Sequence, residues 1–181
     1  LAAAHLQRLQ ADPPPPAEIG ITSARKFRIL FVCLGNICRS PTAEGVLREL
    51  AAREAPALAL EIDSAGTADY HVGAAPDARS RRAALARGID IGSLRARQVV
   101  AEDFDRFDLV LAMDRENLRA LEAMRPARSR AQVQLLMSYA PELGHSEVPD
   151  PYYGTDRDFD AVLDLTTAAA RGLIAKLQQR A

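Results

Sequence analysis

Hydrophobic positions in this chain follow two rhythms. Phe27 to Val32 and Phe107 to Ala112 are short, nearly unbroken apolar runs, the length and composition of strands covered on both faces. Weaker runs at Leu58 to Ser64 and Ala131 to Leu136 predict two more strands. Between them the spacing changes to three and four. Pro41 to about Arg53 reads as a helix, with Ser40 as its N-cap and Pro41 at the first helical position. Pro76 to Arg87 reads as a second helix stopped by Gly88, and Arg115 to Ala123 as a third. Near the C-terminus Phe159, Val162, Leu163, Thr166, Ala170, Leu173, Ile174 and Leu177 line one side of a long amphipathic helix. Strands alternating with helices predict an α/β fold, a single doubly wound domain around a parallel sheet.

Residues Leu1 to about Lys26 carry no such period. They hold an alanine-rich start and the tract Pro13 to Pro16, and they are expected to be a flexible N-terminal extension, a linker or a polyproline docking ligand. The ordered domain is then expected over residues 27 to 181. The chain opens on Leu1, which allows a start inside a longer gene product.

Composition narrows the partners. A net charge of −1 gives no polyanion signature, and the arginines at 79, 81, 82 and 87 read as a solvated helix face, so no nucleic acid partner is expected. No apolar run reaches the ~18 residues needed to span a bilayer. No basic segment followed by an apolar core opens the chain, so a cytoplasmic location is expected. The two cysteines, Cys33 and Cys38, have no second ligand pair, and His5, His71 and His145 are scattered singly, so no metal and no cofactor is expected.

Those cysteines sit in the most informative stretch, Cys33-Leu34-Gly35-Asn36-Ile37-Cys38-Arg39-Ser40. A strand ends at Cys33 and a helix begins beyond Arg39, so the segment lies where unpaired amides and the helix dipole favour an anion. Both a thiolate and a phosphate are such anions. A cysteine at such a terminus beside an arginine titrates at roughly 3.5 to 7.5, against ~8.5 when free. Arg39 offers a planar fork for two phosphate oxygens. Gly35 and Asn36 suit a tight loop because both tolerate positive φ. The Ser40 hydroxyl is placed to donate to the Cys33 sulfur.

This loop with its flanking strand and helix resembles the low-molecular-weight protein tyrosine phosphatases. Val32 to Pro41 is similar to the family signature almost letter for letter, and Val148-Pro149-Asp150-Pro151-Tyr152-Tyr153-Gly154 resembles its general-acid loop. Asp63 to Thr67 and Leu111 to Asp114 fall where the family has similar segments. The resemblance implies four parallel strands in the order 2-1-3-4. It makes Cys33 the nucleophile, Asp150 the general acid, and Arg39 with Leu34, Gly35, Asn36, Ile37, Cys38 and Ser40 the phosphate cradle. Tyr70, Tyr152 and Tyr153 become walls for a phosphotyrosine ring, and Ser64 with Asn36 supports the loop from below. The implied reaction is metal-independent hydrolysis of phosphotyrosine through a phosphocysteine. An alanine- and arginine-rich composition suggests a bacterial source. A monomer acting on a phosphotyrosine protein, such as a bacterial tyrosine kinase, is then implied.

Other readings of the same residues stay open. An arsenate reductase on this fold needs relay cysteines, and none follows Cys38. A phosphoarginine phosphatase is disfavoured by Ile37 and the two tyrosines of the acid loop, and a non-catalytic phosphate-binding module by the presence of every reacting group. Asp150 ahead of Pro151 is also an ordinary turn residue. Leu94 stands where many relatives carry a histidine near the loop's support.

Overall fold

The computed structural model describes residues 25–180. Most of the expected extension, with its proline tract, lies outside the described residues.

Strand β1 (Phe27–Cys33) explains why its sequence is apolar without alternation. Successive side chains point to opposite faces of a sheet, so Ile29, Phe31 and Cys33 enter one core while Leu30 and Val32 enter the other. Both faces are covered. β1 pairs in parallel with β2 (Leu60–Gly66) on one side and with β3 (Leu109–Ala112) on the other, and β3 pairs in parallel with β4 (Gln132–Leu135). The order is 2-1-3-4, as the resemblance implies.

Three helices cover the first face. Helix α1 (Arg39–Glu54) contributes Ala43, Val46, Leu47 and Leu50, and α2 (Ala78–Leu85) contributes Ala84. Helix α5 (Asp156–Arg180) buries every one of the eight positions its period selects, together with Leu165 and Ala169. The second face is closed by Phe104 of the short helix α3 (Asp103–Arg106) and Leu121 of α4 (Arg115–Met124). At about 25 cal/mol per Å² of apolar surface removed from water, these two cores supply the main favourable contribution to folding.

Some boundaries differ from the sequence pattern, each for a local reason. Helix α2 starts at Ala78, because Asp77 caps it by accepting the Arg79 amide, and it ends at Leu85. α4 is capped in the same way by Asp114, which accepts the Asn117 amide. The α1 start is a correction of larger consequence. Cys38, not Ser40, is the N-cap, so Arg39, Ser40 and Pro41 are the first three helical residues. Proline is tolerated there because the first-turn amides have no intrahelical partner. The Ser40 hydroxyl is thereby released from capping and turns towards Cys33.

In an open sheet of this order, connections leave β1 on either side, and the crevice lies at the carboxyl ends of the strands around that switch. Cys33 closes β1 there.

Candidate active site

The loop from Cys33 to Arg39 is held open by its carbonyls. Those of Cys33, Leu34 and Ile37 accept from the amides of Thr67, Ala68 and Asp77 at 2.8–2.9 Å, so they point outwards. The Cys38 carbonyl accepts from the Thr42 amide and hydroxyl, at 3.3 and 2.7 Å. Among the described residues, no amide of residues 34–38 donates to an acceptor. A ring of amides above a helix N-terminus is the arrangement that binds a tetrahedral anion.

The two small loop residues divide the work differently from the sequence expectation. Asn36 alone takes positive φ, 56°. Gly35 does not, and it serves close approach instead. A Cβ there would meet His71 Cδ2 at 3.0 Å. Gly66, which the sequence pattern does not mark, is needed for the same reason, since a Cβ would fall 2.7 Å from the Leu34 carbonyl oxygen.

Asn36 and Arg39 are both buried, and each is fixed from two sides. Asn36 Oδ1 accepts the Arg97 amide at 3.0 Å, while its Nδ2 donates to Ser40 Oγ at 2.7 Å and Ser64 Oγ at 3.0 Å. The Arg39 guanidinium donates to Asp114 Oδ2 at 2.6 Å and to the Val148 carbonyl at 3.1 Å, and its other terminal nitrogen lies 3.7 Å from Asp150 Oδ2. Burial works against the Arg39 charge, but Cys33, Asp114 and Asp150 outweigh it and hold the guanidinium above its ordinary range. Asp114 is a functional candidate that sequence reasoning missed. Its sequence position, ahead of the helix at Arg115, does not disclose a carboxylate that both caps α4 and holds Arg39.

Cys33 Sγ lies 3.0 Å from Ser40 Oγ. Cys38 is also a free, buried thiol, and burial pushes it up to about 12 despite a hydrogen bond with Ser80. Cys38 therefore stays a thiol at neutral pH.

Above the loop opens a cleft of about 330 Å³ lined by Cys33, Leu34, Ile37, Cys38, Arg39 and Asp150 at its base, with Tyr70, His71, Tyr152 and Tyr153 at its rim. Tyr152 and Tyr153 meet edge to face at 4.9 Å, and Arg79 lies 5.5 Å from the Tyr152 ring. Tyr70 and Tyr153 project into solvent, 72% and 96% exposed. Asp150 is half-exposed and its Oδ1 accepts the Tyr152 amide at 3.1 Å, an Asx turn that leaves Oδ2 over the cleft. The Val148 amide donates to the Met113 carbonyl at 2.8 Å, tying this lip to the end of β3. Of the candidate site residues, Asn36, Ser40 and Ser64 form the hydrogen bonds beneath the cleft and the others line it. His71 is the addition. A cavity of about 420 Å³ at the amino ends of the strands, lined by Arg25, Phe27, Asp105, Asp108, Arg128 and Arg130, holds no cysteine.

Residues 28–181 match the model of the low molecular weight phosphotyrosine protein phosphatase family. The chain belongs to that family. The low molecular weight phosphotyrosine protein phosphatase of Mus musculus is 41% identical over 162 residues, covering 88% of this chain and 98% of the mouse protein. Among solved structures, the protein tyrosine phosphatase from Entamoeba histolytica superposes with a TM-score of 0.81 at 37% identity, covering 86% of this chain and 99% of that one. A Drosophila arginine phosphatase superposes with a TM-score of 0.78 at 31% identity, covering 83% and 97%. The chain is a protein-tyrosine-phosphatase, and its substrates are phosphoproteins. No helix among its described residues is long and apolar enough to cross a membrane.

Proposed function

We propose that this phosphatase hydrolyses protein phosphotyrosine in two steps through Cys33. In the first, Cys33 Sγ attacks phosphorus as the bond from phosphorus to the tyrosyl oxygen breaks, and Asp150 gives its proton to that leaving phenolate oxygen. In the second, Asp150 takes a proton from water, the water oxygen attacks phosphorus, and the thiolate departs with inorganic phosphate as product. Arg39 and the loop amides hold the equatorial oxygens throughout, where charge accumulates in transfer. The reading is carried by one observation. A buried thiol, a guanidinium fixed by Asp114 and a carboxylate on the opposite lip converge on a single cleft.

Arg39→Lys tests the cradle. Lysine keeps the charge and loses the fork, so kcat/KM on an aryl phosphate is expected to fall roughly 10²- to 10³-fold, the usual loss for one transition-state donor. A loss under threefold removes Arg39 from transition-state binding.

Phosphoarginine is the second reading, prompted by the likeness to the Drosophila arginine phosphatase. Ile37 and the two tyrosines of the acid loop favour an aryl phosphate. Action as a monomer is part of the reading, since Cys33, Arg39 and Asp150 of one chain suffice for the two steps. A cytoplasmic location suits the two free thiols. An autophosphorylating bacterial tyrosine kinase is the substrate class we infer, in keeping with a cleft that offers contacts to a phosphotyrosine ring and little beyond it.

Cys38 gives the site reversible redox sensitivity in this reading. Peroxide converts the Cys33 thiolate to a sulfenic acid with release of hydroxide, and the Cys38 thiol condenses with it to a disulfide with release of water. Dithiothreitol is then expected to restore the wild type after peroxide and to leave Cys38→Ser largely inactive. Equal recovery of the two proteins overturns the disulfide.

A further inference from the structure

Below the loop lies a buried carboxylate that the mechanism does not use. Glu44, one turn into α1, is only 3% exposed, and its Oε1 accepts the Ser64 hydroxyl at 2.6 Å. Its other oxygen pairs with Arg48 at 2.9 Å. Asp63 of β2 is the further charge facing it, and Asp63 is itself held by Arg97 at 3.0 Å. Burial pushes the Glu44 carboxyl up, with Ser64 and Arg48 pulling it back.

We propose that Glu44 is a positioning residue, the fixed acceptor that orients the hydrogen-bond chain Glu44–Ser64–Asn36–Ser40–Cys33 so that the Ser40 hydroxyl points at the sulfur. The proposal rests on Cys33 being the nucleophile.

The directions follow from counting donors. The Arg97 amide can only donate, so Asn36 must face it with Oδ1 and give both Nδ2 hydrogens to Ser40 and Ser64. Ser64 Oγ therefore receives from Asn36 and must donate its own hydrogen elsewhere. Glu44 supplies that acceptor. At the other end Ser40 Oγ also receives from Asn36, and its hydrogen has two possible destinations, Cys33 Sγ at 3.0 Å and the Ala65 carbonyl at 3.5 Å. A settled Asn36 amide keeps the oxygen turned towards the sulfur. Without an acceptor at 44, the Ser64 hydrogen turns to the second lone pair of Asn36 Oδ1. That draws the amide round, releases Ser40 from Nδ2 and lets its hydrogen pass to Ala65. The Cys33 thiolate then loses a donor.

The test compares Glu44→Gln, which keeps an acceptor oxygen, with Glu44→Leu, which keeps shape and loses it. The readout is the pH midpoint of Cys33 alkylation by iodoacetamide, with kcat and KM on p-nitrophenyl phosphate and the melting temperature alongside. For Glu44→Leu the midpoint is expected to rise by roughly one pH unit, the equivalent of one hydrogen bond. Its kcat is expected to fall about tenfold with KM within twofold. Glu44→Gln is expected to stay near wild type in both. Because burial raises Glu44 in the fold, its ionisation costs stability. Glu44→Gln is therefore expected to melt at or above wild type at pH 7, an advantage that shrinks as acid protonates the wild-type carboxyl. An alkylation midpoint and kcat unchanged in folded Glu44→Leu overturn the proposal, whatever the melting temperature. Ser40→Ala separates the causes. If it too leaves the midpoint unchanged, the Ser40 donor is at fault, and if Cys33 is not the residue alkylated, the nucleophile reading itself fails.

Discussion

Replacing Cys33 with serine is expected to abolish turnover of an aryl phosphate, by roughly 10⁴- to 10⁶-fold, the scale on which a nucleophilic unit fails when one member is removed. The substitution changes one atom in a buried site, so the loop, the Arg39 clamp and the cleft are expected to persist. A serine hydroxyl is a far weaker acid than a thiol, so in that position it stays protonated at neutral pH and is a poor nucleophile towards phosphorus. Binding should therefore outlast catalysis. Inorganic phosphate or vanadate is expected to bind Cys33→Ser within tenfold of wild type, measured by calorimetry, while the phosphoenzyme trapped by acid quench disappears. The wild-type assay is run with EDTA throughout, and its activity is expected to survive chelation. Residual turnover by Cys33→Ser above about 1% of wild type moves the nucleophile elsewhere.

Much of the architecture was legible because its physics is local in sequence. The odd and even residues of β1 fill two cores, and that requirement leaves an apolar run with no alternation. The period of α5 names its buried face for the same reason. The loop from Cys33 to Arg39 was legible because the strand before it and the helix after it are contiguous. What stayed hidden depends on contacts across the chain. Asp114 clamps Arg39 from 75 residues away, a contact that its place ahead of the helix at Arg115 does not disclose. Gly66 is required by the backbone of Leu34, a constraint no local pattern records. His71 looks like one of three scattered histidines until the fold lays it against Gly35. Serine before proline favours a helix cap, but the Ser40 hydroxyl is claimed by Asn36 and Cys33 instead.

Asp150 carries two readings at once, and one pair of variants separates them. Its Oδ1 closes an Asx turn on the Tyr152 amide, while its Oδ2 stands 3.7 Å from Arg39 over the cleft. Asparagine preserves the turn, because its amide oxygen accepts the same bond, but it has no acidic proton to give. Alanine removes both. If Asp150 is the general acid, Asp150→Asn and Asp150→Ala are both expected to lose about 10²- to 10⁴-fold in kcat on a phosphotyrosine peptide, with KM changed less than threefold. The loss must also depend on the leaving group. A phenol more acidic than tyrosine departs with less help, so both variants are expected to retain more of their activity on p-nitrophenyl phosphate than on the peptide. If Asp150 only shapes the lip, Asp150→Asn keeps nearly full activity, Asp150→Ala weakens KM through the displaced Tyr152 and Tyr153, and the leaving group makes no difference. The slope against leaving-group acidity decides the matter, because displacement of the aromatic rim acts on binding of the ring, whereas a missing proton is felt in proportion to the basicity of the oxygen that has to leave.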